Sequence, residues 1–308
     1  MSVMFATAAG LGKSCNEDLC GASSNTAWML DGASVPAGMD TCCEGDAVWY
    51  VHRLADALSR NLAAQPRADL REVLADAIDT VRYEHDATCW RGSGQTLDPS
   101  ATVTLVRRRA RALDYLVLGD TAVLLDTGAG VICHSDRRLA DVGAPIREKI
   151  HQHLRCGGGY DGSAHRALVN RLVEYERMAR NTAGGYWIAS DDPAAAFQAL
   201  TGSYRIGQRL GEVRRLALLT DGAQRAVTHF GVHDSWAALM TALVADGPHA
   251  CIQAVRAAET LDPDGRSFPR TKPSDDATVL VWDLMGECGA NQFKDVVSLW
   301  TRRRSCTA

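Results

Sequence analysis

Acidic residues recur in this chain where short apolar runs begin or end. Glu17-Asp18 follows the turn Lys13-Ser14-Cys15-Asn16, and Asp31-Gly32 closes Ala27-Trp28-Met29-Leu30. Asp221-Gly222 closes the run 216–220, and Asp275-Asp276 opens the run 277–282. A side chain at a strand end can reach a shared point at the edge of a sheet, so this placement could gather several carboxylates. Gathered carboxylates with few basic neighbours repel one another unless multivalent cations sit among them. Ligands that offer only oxygen select hard ions, Mg²⁺ or Mn²⁺, over zinc. Taken singly, each Asp-Gly reads as a turn; the joint pattern carries the information.

In their order along the chain these pieces resemble the protein phosphatase 2C, or PPM, family of metal-dependent Ser/Thr phosphatases of bacterial type. The matching windows are Lys13 four residues before Glu17-Asp18, then Asp31-Gly32, Gly119-Asp120 after Leu116-Val117-Leu118, Thr220-Asp221-Gly222, and Asp275-Asp276-Ala277-Thr278. The resemblance implies an α+β fold, a four-layer α/β/β/α sandwich of two antiparallel sheets flanked by helices. It implies two Mn²⁺ or Mg²⁺ ions, with Asp31 bridging, Asp221 and Asp275 on one ion, and Glu17 with the Gly32 carbonyl on the other. Asp18 would orient the attacking water, and Lys13 stands at the position of the family's substrate-phosphate residue. Two ions so placed lower the pKa of a bridging water and neutralise the charge that builds on the phosphoryl oxygens. The implied activity is hydrolysis of a phosphomonoester by a metal-bridged hydroxide, with phosphoserine or phosphothreonine of a protein as substrate. A small phosphorylated molecule would use the same centre. The alternatives are a non-catalytic phosphatase-like binding module and a metal-free scaffold whose acids are turns and caps.

Three residues depart from the family pattern. Lys13 replaces the usual Arg, supplying charge without a planar bidentate fork. Ala33 follows Asp31-Gly32 where some members carry a His, so no general acid is assigned. Arg225 replaces the acid that follows the later Asp-Gly, which removes one ligand of a third ion beside Asp120.

The elements that must position these residues follow from periodicity. Segments 26–30, 215–220 and 278–282 read as strands, and 3–12 as an edge strand plus turn. Helical spacing appears in 44–64, 70–90, 164–180, 236–245 and 249–261. From 101 to 134 period-two runs predict an antiparallel meander of four strands. Segment 145–212 differs in character and is expected to be an insertion or flap near the site, within a phosphatase domain spanning 1–285; 286–308 is a tail with little core potential.

Composition sets the outer limits. The 308 residues are 46% hydrophobic, enough for a globular core. A net charge of −4 is the wrong sign for covering phosphate backbone, so nucleic acid is not an expected partner. No apolar run has membrane-spanning length, so no membrane partner is expected. Ten cysteines without a CxxC pair predict reduced thiols in the cytoplasm. Two zinc sites can be drawn, at His85 with Cys89 and at His151, His153 with Cys156, but neither has paired ligand spacing. The run Gly157-Gly158-Gly159 is expected to be a loop, Asp191-Asp192-Pro193 a helix cap, and Arg107-Arg108-Arg109 a solvated strand edge.

Overall fold

A computed structural model describes residues 2–33, 47–88 and 98–285. The strands among them are β1 (Ser2–Ala8), β2 (Asp18–Ala22), β3 (Thr26–Gly32), β4 (Ala101–Arg109), β5 (Ala112–Leu118), β6 (Ala122–Asp126), β7 (Val131–Ser135), β8 (Leu200–Arg205), β9 (Arg215–Leu219) and β10 (Ala277–Asp283). The helices are α1 (Ala47–Ala64), α2 (Leu70–Thr88), α3 (Arg138–Asp141), α4 (Ala144–Arg155), α5 (Ser163–Ala179), α6 (Asp221–Thr228), α7 (Trp236–Ala245) and α8 (Pro248–Leu261). One five-stranded sheet runs β1-β10-β9-β6-β7 and the other β2-β3-β4-β5-β8, with antiparallel pairing throughout.

Both faces of each sheet are covered, which is why the central strands read as nearly continuous apolar runs. Alternate residues of each sheet divide between the core shared by the two sheets and an outer core under its own helices. Met29, Val106, Val117, Leu218, Leu280 and Trp282 fill the space between the sheets. Trp28, Leu30, Val103 and Leu105 turn the other way, onto Leu54 and Leu58 of α1 and Leu74 and Ile78 of α2. Ala217, Leu219, Val279 and Val281 meet α6, α7 and α8 through Ala223, Leu239, Leu243 and Ile252. The result is the expected four-layer sandwich, helices over each outer face. Each fully buried aliphatic or aromatic side chain contributes roughly 1.5–3 kcal/mol.

The expected four-strand meander is instead two hairpins in different sheets. β4 and β5 pair with each other, as do β6 and β7, but β5 and β6 part company at Gly119-Asp120. Gly119 adopts φ +86°, where L side chains are strained, and a Cβ there would lie 2.5 Å from Thr102 Cγ2. That turn carries the chain from one sheet to the other. Arg107 also departs from expectation: β4 is an interior strand, and the buried Arg107 guanidinium donates to the Ala68 carbonyl at 2.6 Å.

Between β7 and β9 lie α4 and α5, which pack on a small core of their own (Ile146, Ile150, Leu154, Leu172), followed by a 3₁₀ turn, Pro193–Gln198, and β8. Asp192 caps that turn, accepting from Ala194 N at 2.9 Å. The glycine run ends α4 and turns into α5, with Gly157 N donating to Leu154 O and Gly158 N to His153 O. The 286–308 tail and Cys89 lie outside the described residues. Among those described, no helix is long and apolar enough to cross a membrane.

Candidate active site

The acids named from sequence come together at one end of the sandwich, drawn from both sheets. In the β2–β3 hairpin Asp18 lies directly across from Asp31, a spacing at which like charges destabilise a strand pair. β9 and β10, in the other sheet, bring Asp221 at the start of α6 and Asp275 just before β10. Asp18 ties the sheets together: its Oδ2 accepts from Thr220 Oγ1 and from Thr278 Oγ1, both at 2.8 Å. Thr220 and Thr278 are themselves joined, Thr220 N to Thr278 O at 3.1 Å and Thr278 N to Thr220 Oγ1 at 2.9 Å. Asp221 N points at Asp31 Oδ2 from 3.4 Å. Gly32 is held by its own N–H on the Glu17 carbonyl at 3.1 Å, which seats Glu17 against the end of β3.

The consequence is electrostatic crowding. Burial pushes the Asp18 carboxyl up to about 8, helped by Asp276 and Asp275 and opposed by the two threonine hydroxyls. Burial raises Asp31 well above the ordinary carboxylate range, and Asp18, Asp221, Asp275 and Asp120 each add to it. Asp221 is raised by burial and by Asp275. Asp120 is pushed up to about 7 by burial and then by Asp221, so this residue joins the cluster.

Cations enter the cluster from the protein itself. Lys13 Nζ donates to Glu17 Oε2 at 2.6 Å and to Asp276 Oδ2 at 2.9 Å. Burial alone would lower the Lys13 ammonium, but these two hydrogen bonds hold it above its ordinary value. Arg225 Nη2 donates to Asp275 Oδ2 at 2.8 Å, and Lys272 Nζ forms an ion pair with Asp275 Oδ1. Burial works against an ionised Asp275, yet Lys272 and Arg225 outweigh it and hold the carboxyl below its usual range.

Sequence reasoning missed several participants. Asp276 accepts from Gly10 N and Glu17 N, each at 2.8 Å, as well as from Lys13, so it fastens the loop carrying Lys13 and Glu17 onto β10. Thr220 and Thr278 stand in the windows already singled out, and a hydroxyl residue close to each acid was the available signal. Lys272 had none, being an ordinary lysine beside a proline. Ala33 N donates to the Ser100 carbonyl at 2.9 Å, and its methyl offers no proton.

The donor set fits hard divalent cations in chemistry. Asp18, Asp31, Asp120 and Asp221 offer oxygen only, and Asp18 Oδ1 is buried without a hydrogen-bond partner. Among the described residues no group of three or more His, Cys, Asp or Glu side chains stands ready-made around a metal. Asp275 and Glu17 are turned onto the internal cations just described. For the imagined zinc clusters, His153 stacks on His165 with ring centroids 5.9 Å apart, and His151 faces Glu148 at 4.0 Å.

The family model for protein phosphatase 2C matches residues 12–256. The sequence matches none of the curated proteins compared with it. Among solved structures, the serine/threonine phosphatase PstP/Ppp of Mycobacterium tuberculosis aligns with TM-score 0.55 and 16% identity over 93% of this chain and 100% of its own. The PPM Ser-Thr phosphatase MsPP of Mycobacterium smegmatis, in complex with cacodylate, aligns with TM-score 0.51 and 16% identity over 92% and 98%. The serine/threonine phosphatase Stp1 of Staphylococcus aureus gives 0.52 and 12% over 93% and 96%. These likenesses are of fold, and the family match takes in Glu17, Asp18, Asp31, Asp120 and Asp221 and ends within α8, ahead of Asp275: the chain belongs to the protein phosphatase 2C family, hydrolases of the PPM type.

Proposed function

We propose that this protein hydrolyses phosphoserine and phosphothreonine in proteins, using Mn²⁺ or Mg²⁺ held by the two-sheet acid cluster. The observation that carries the reading is the meeting of Asp18 and Asp31 from one sheet with Asp221 from the other, locked by Thr220 and Thr278. Asp31, Asp221, Asp275, Glu17 and the Gly32 carbonyl are the proposed ligands. When bound, such ions supply an ionised water for attack on phosphorus and charge against the phosphoryl oxygens. Asp18 contributes a buried oxygen, Oδ1, whose other half is fixed by two hydroxyls, so it can orient a water without rotating. Lys13 keeps a positive charge beside Glu17 at the mouth of the site, its side chain 26% exposed. The substrate carries that charge's complement, a phosphate.

The proposed domain spans 1–285, with the α4–α5 part of 145–212 forming the substrate-facing flap, while β8 in the same segment belongs to the sheet. Supporting this, His165 Nε2 on α5 donates to the Thr271 carbonyl at 3.1 Å, one residue from Lys272. Glu176, also on α5, lies within electrostatic range of Asp120. A protein substrate needs that flap to leave a groove rather than close a pocket. The proposed compartment is the cytoplasm; the free thiols Cys20, Cys133, Cys156 and Cys251 suit it.

The test is steady-state hydrolysis of p-nitrophenyl phosphate, a phosphothreonine peptide and a small sugar phosphate with Mn²⁺, Mg²⁺ or EDTA. Asp31→Ala and Asp221→Ala run alongside. Metal-dependent turnover reduced by at least about a hundred-fold in both variants is expected, with the peptide preferred over the sugar phosphate. Equal turnover in EDTA, or full activity of Asp31→Ala, would sink the reading.

A further inference from the structure

The end of the sandwich opposite the acid cluster gathers arginines. β5 runs from Ala112 at that end to Leu118 beside Gly119-Asp120, about 20 Å at the rise of an extended strand. The β4–β5 turn brings Arg109 and Arg111, and the connection from β8 to β9 brings Arg205, Arg209 and Arg214, all of them exposed. These turns are fastened to one another. Ala112 pairs with Arg205, Ile206 N donates to Arg111 O at 2.8 Å, and Val213 N donates to Arg205 O at 2.7 Å. Gly211 N donates to Thr127 O at 3.0 Å, which ties the same connection to the β6–β7 turn. Leu210 stands at the tip, 80% exposed, next to Arg209. Around it the chain is closed by Glu212 N on Arg209 O at 2.9 Å and Gly207 N on Val213 O at 3.1 Å. A fixed backbone therefore holds this leucine out in water.

The acids among these arginines lie on the inner side of their pairs. Asp114 meets Arg109, Glu212 meets Arg205 at 3.7 Å, and Asp126 meets Arg214 at 3.0 Å and Arg215 at 3.3 Å. Asp126 is buried and the other two acids are half-buried, while Arg109, Arg205 and Arg214 are exposed, so solvent sees the positive side of each pair. Among the described residues no acid pairs with the side chain of Arg111 or Arg209. This end thus opposes in sign a chain whose net charge is −4. A single exposed leucine is ordinary, and so is a surface arginine; an apolar knob set among arginines on a pinned turn has the make-up of a contact surface, where Arg and a covered apolar side chain carry the binding. We propose that this end docks an acidic segment of a protein partner, whose carboxylates meet Arg111 and Arg209 and whose apolar side chain covers Leu210. Phosphate backbone fits less well, because several of these guanidiniums are already shared with acids and Leu210 gains nothing from it. Docking here leaves the acid cluster open at the far end, and the reading does not depend on the metal-dependent one above.

The test is fluorescence anisotropy of the full chain with a labelled peptide in which glutamates flank one leucine. An all-glutamate peptide and a peptide with lysines in place of the glutamates run beside it. Arg111→Glu combined with Arg209→Glu reverses the charge at the two arginines that no acid holds, and Leu210→Ser removes the knob. All three positions are exposed, and circular dichroism melts check that each variant folds. The parent should bind the leucine-bearing acidic peptide, ignore the lysine peptide and lose affinity as salt rises. The double variant should bind at least about ten-fold more weakly. Leu210→Ser should weaken the leucine-bearing peptide and leave the all-glutamate peptide unaltered. Failure of the parent to bind, undiminished binding by the folded double variant, or indifference of the leucine-bearing peptide to Leu210→Ser would overturn the docking surface. Vesicles containing phosphatidylserine form a second arm. Co-sedimentation of the parent with them, lost in the double variant and without any binding of peptide, would overturn the proposal in favour of a lipid surface.

Discussion

At the scale of single residues, Asp276 shows how a site can be held by a group that does none of its chemistry. Its buried carboxylate collects two backbone amides, of Gly10 and Glu17, and the Lys13 ammonium. Replacing it by Ala strands both amides, and leaving buried donors unmet costs about 1–3 kcal/mol. Asp276→Ala should therefore melt at lower temperature and release the loop that seats Glu17. Asp276→Asn, which keeps an acceptor oxygen, should recover part of the loss in the same thermal melts; equal stability of all three proteins would refute the assignment. The sequence marked Asp275-Asp276 as a pair and could not divide the labour between them, because adjacent acids look alike until the strand direction is known. Just before β10 the answer comes from what each carboxylate faces: Asp276 meets the loop from β1, and Asp275 meets α6. Glu17, Asp18, Asp31 and Asp221 were legible because each sits where an apolar run meets a turn, and Lys13 only through the family resemblance. Lys272 was not, since its role depends on a loop conformation fixed by Arg270 and Ser274.

At the scale of elements, strands and long helices were readable from their periodicity, while the joints between them were not. α6 begins at Asp221 itself, where a turn was expected, and β8 lies within the segment read as irregular. Both are short, and short elements are decided by tertiary contacts more than by local pattern. The α6–β10 contact is the tightest joint near the site. A Cβ on Gly222 would stand 2.0 Å from the Asp276 carbonyl oxygen and 3.2 Å from Asp275 Cβ. A backbone carbonyl held in the approach to a central strand cannot move cheaply, so Gly222→Ala must push the start of α6 away. Overpacking of this kind costs about 1–3 kcal/mol. Because the displaced residue is Asp221, turnover should fall along with the melting temperature. A Gly222→Ala protein with parental activity would mean that the two elements can separate without moving Asp221.

At the scale of the whole molecule, the four layers were legible through the resemblance, and the division of 101–134 between two sheets was not. Period-two alternation says that a strand has two faces, but the sheet it joins depends on one glycine turn at Gly119. Joining the sheets there and through Asp18 concentrates buried acid at one end, which links stability to pH. Burial, reinforced by neighbouring carboxylates, holds Asp18 near 8 and Asp120 near 7, with Asp31 and Asp221 also raised from the ordinary 3.8. Between about pH 4 and pH 8 the folded chain thus keeps protons that the unfolded chain has released. Stability then declines as pH rises through that window. Asp275, held low despite its burial by Lys272 and Arg225, acts in the opposite sense and loses its contribution only as pH falls through its own lowered pKa. Divalent ions that bind the folded state displace the same protons and should flatten or reverse the decline. Calorimetric melts in EDTA at about pH 5, 6.5 and 8, repeated with MnCl₂, test this. The metal-free protein should melt at progressively lower temperature, and added Mn²⁺ should raise the melting point most at the highest pH. A metal-free melting temperature that climbs across the same range would show that the clustered acids ionise without strain, and that the crowding between the sheets does not drive metal binding.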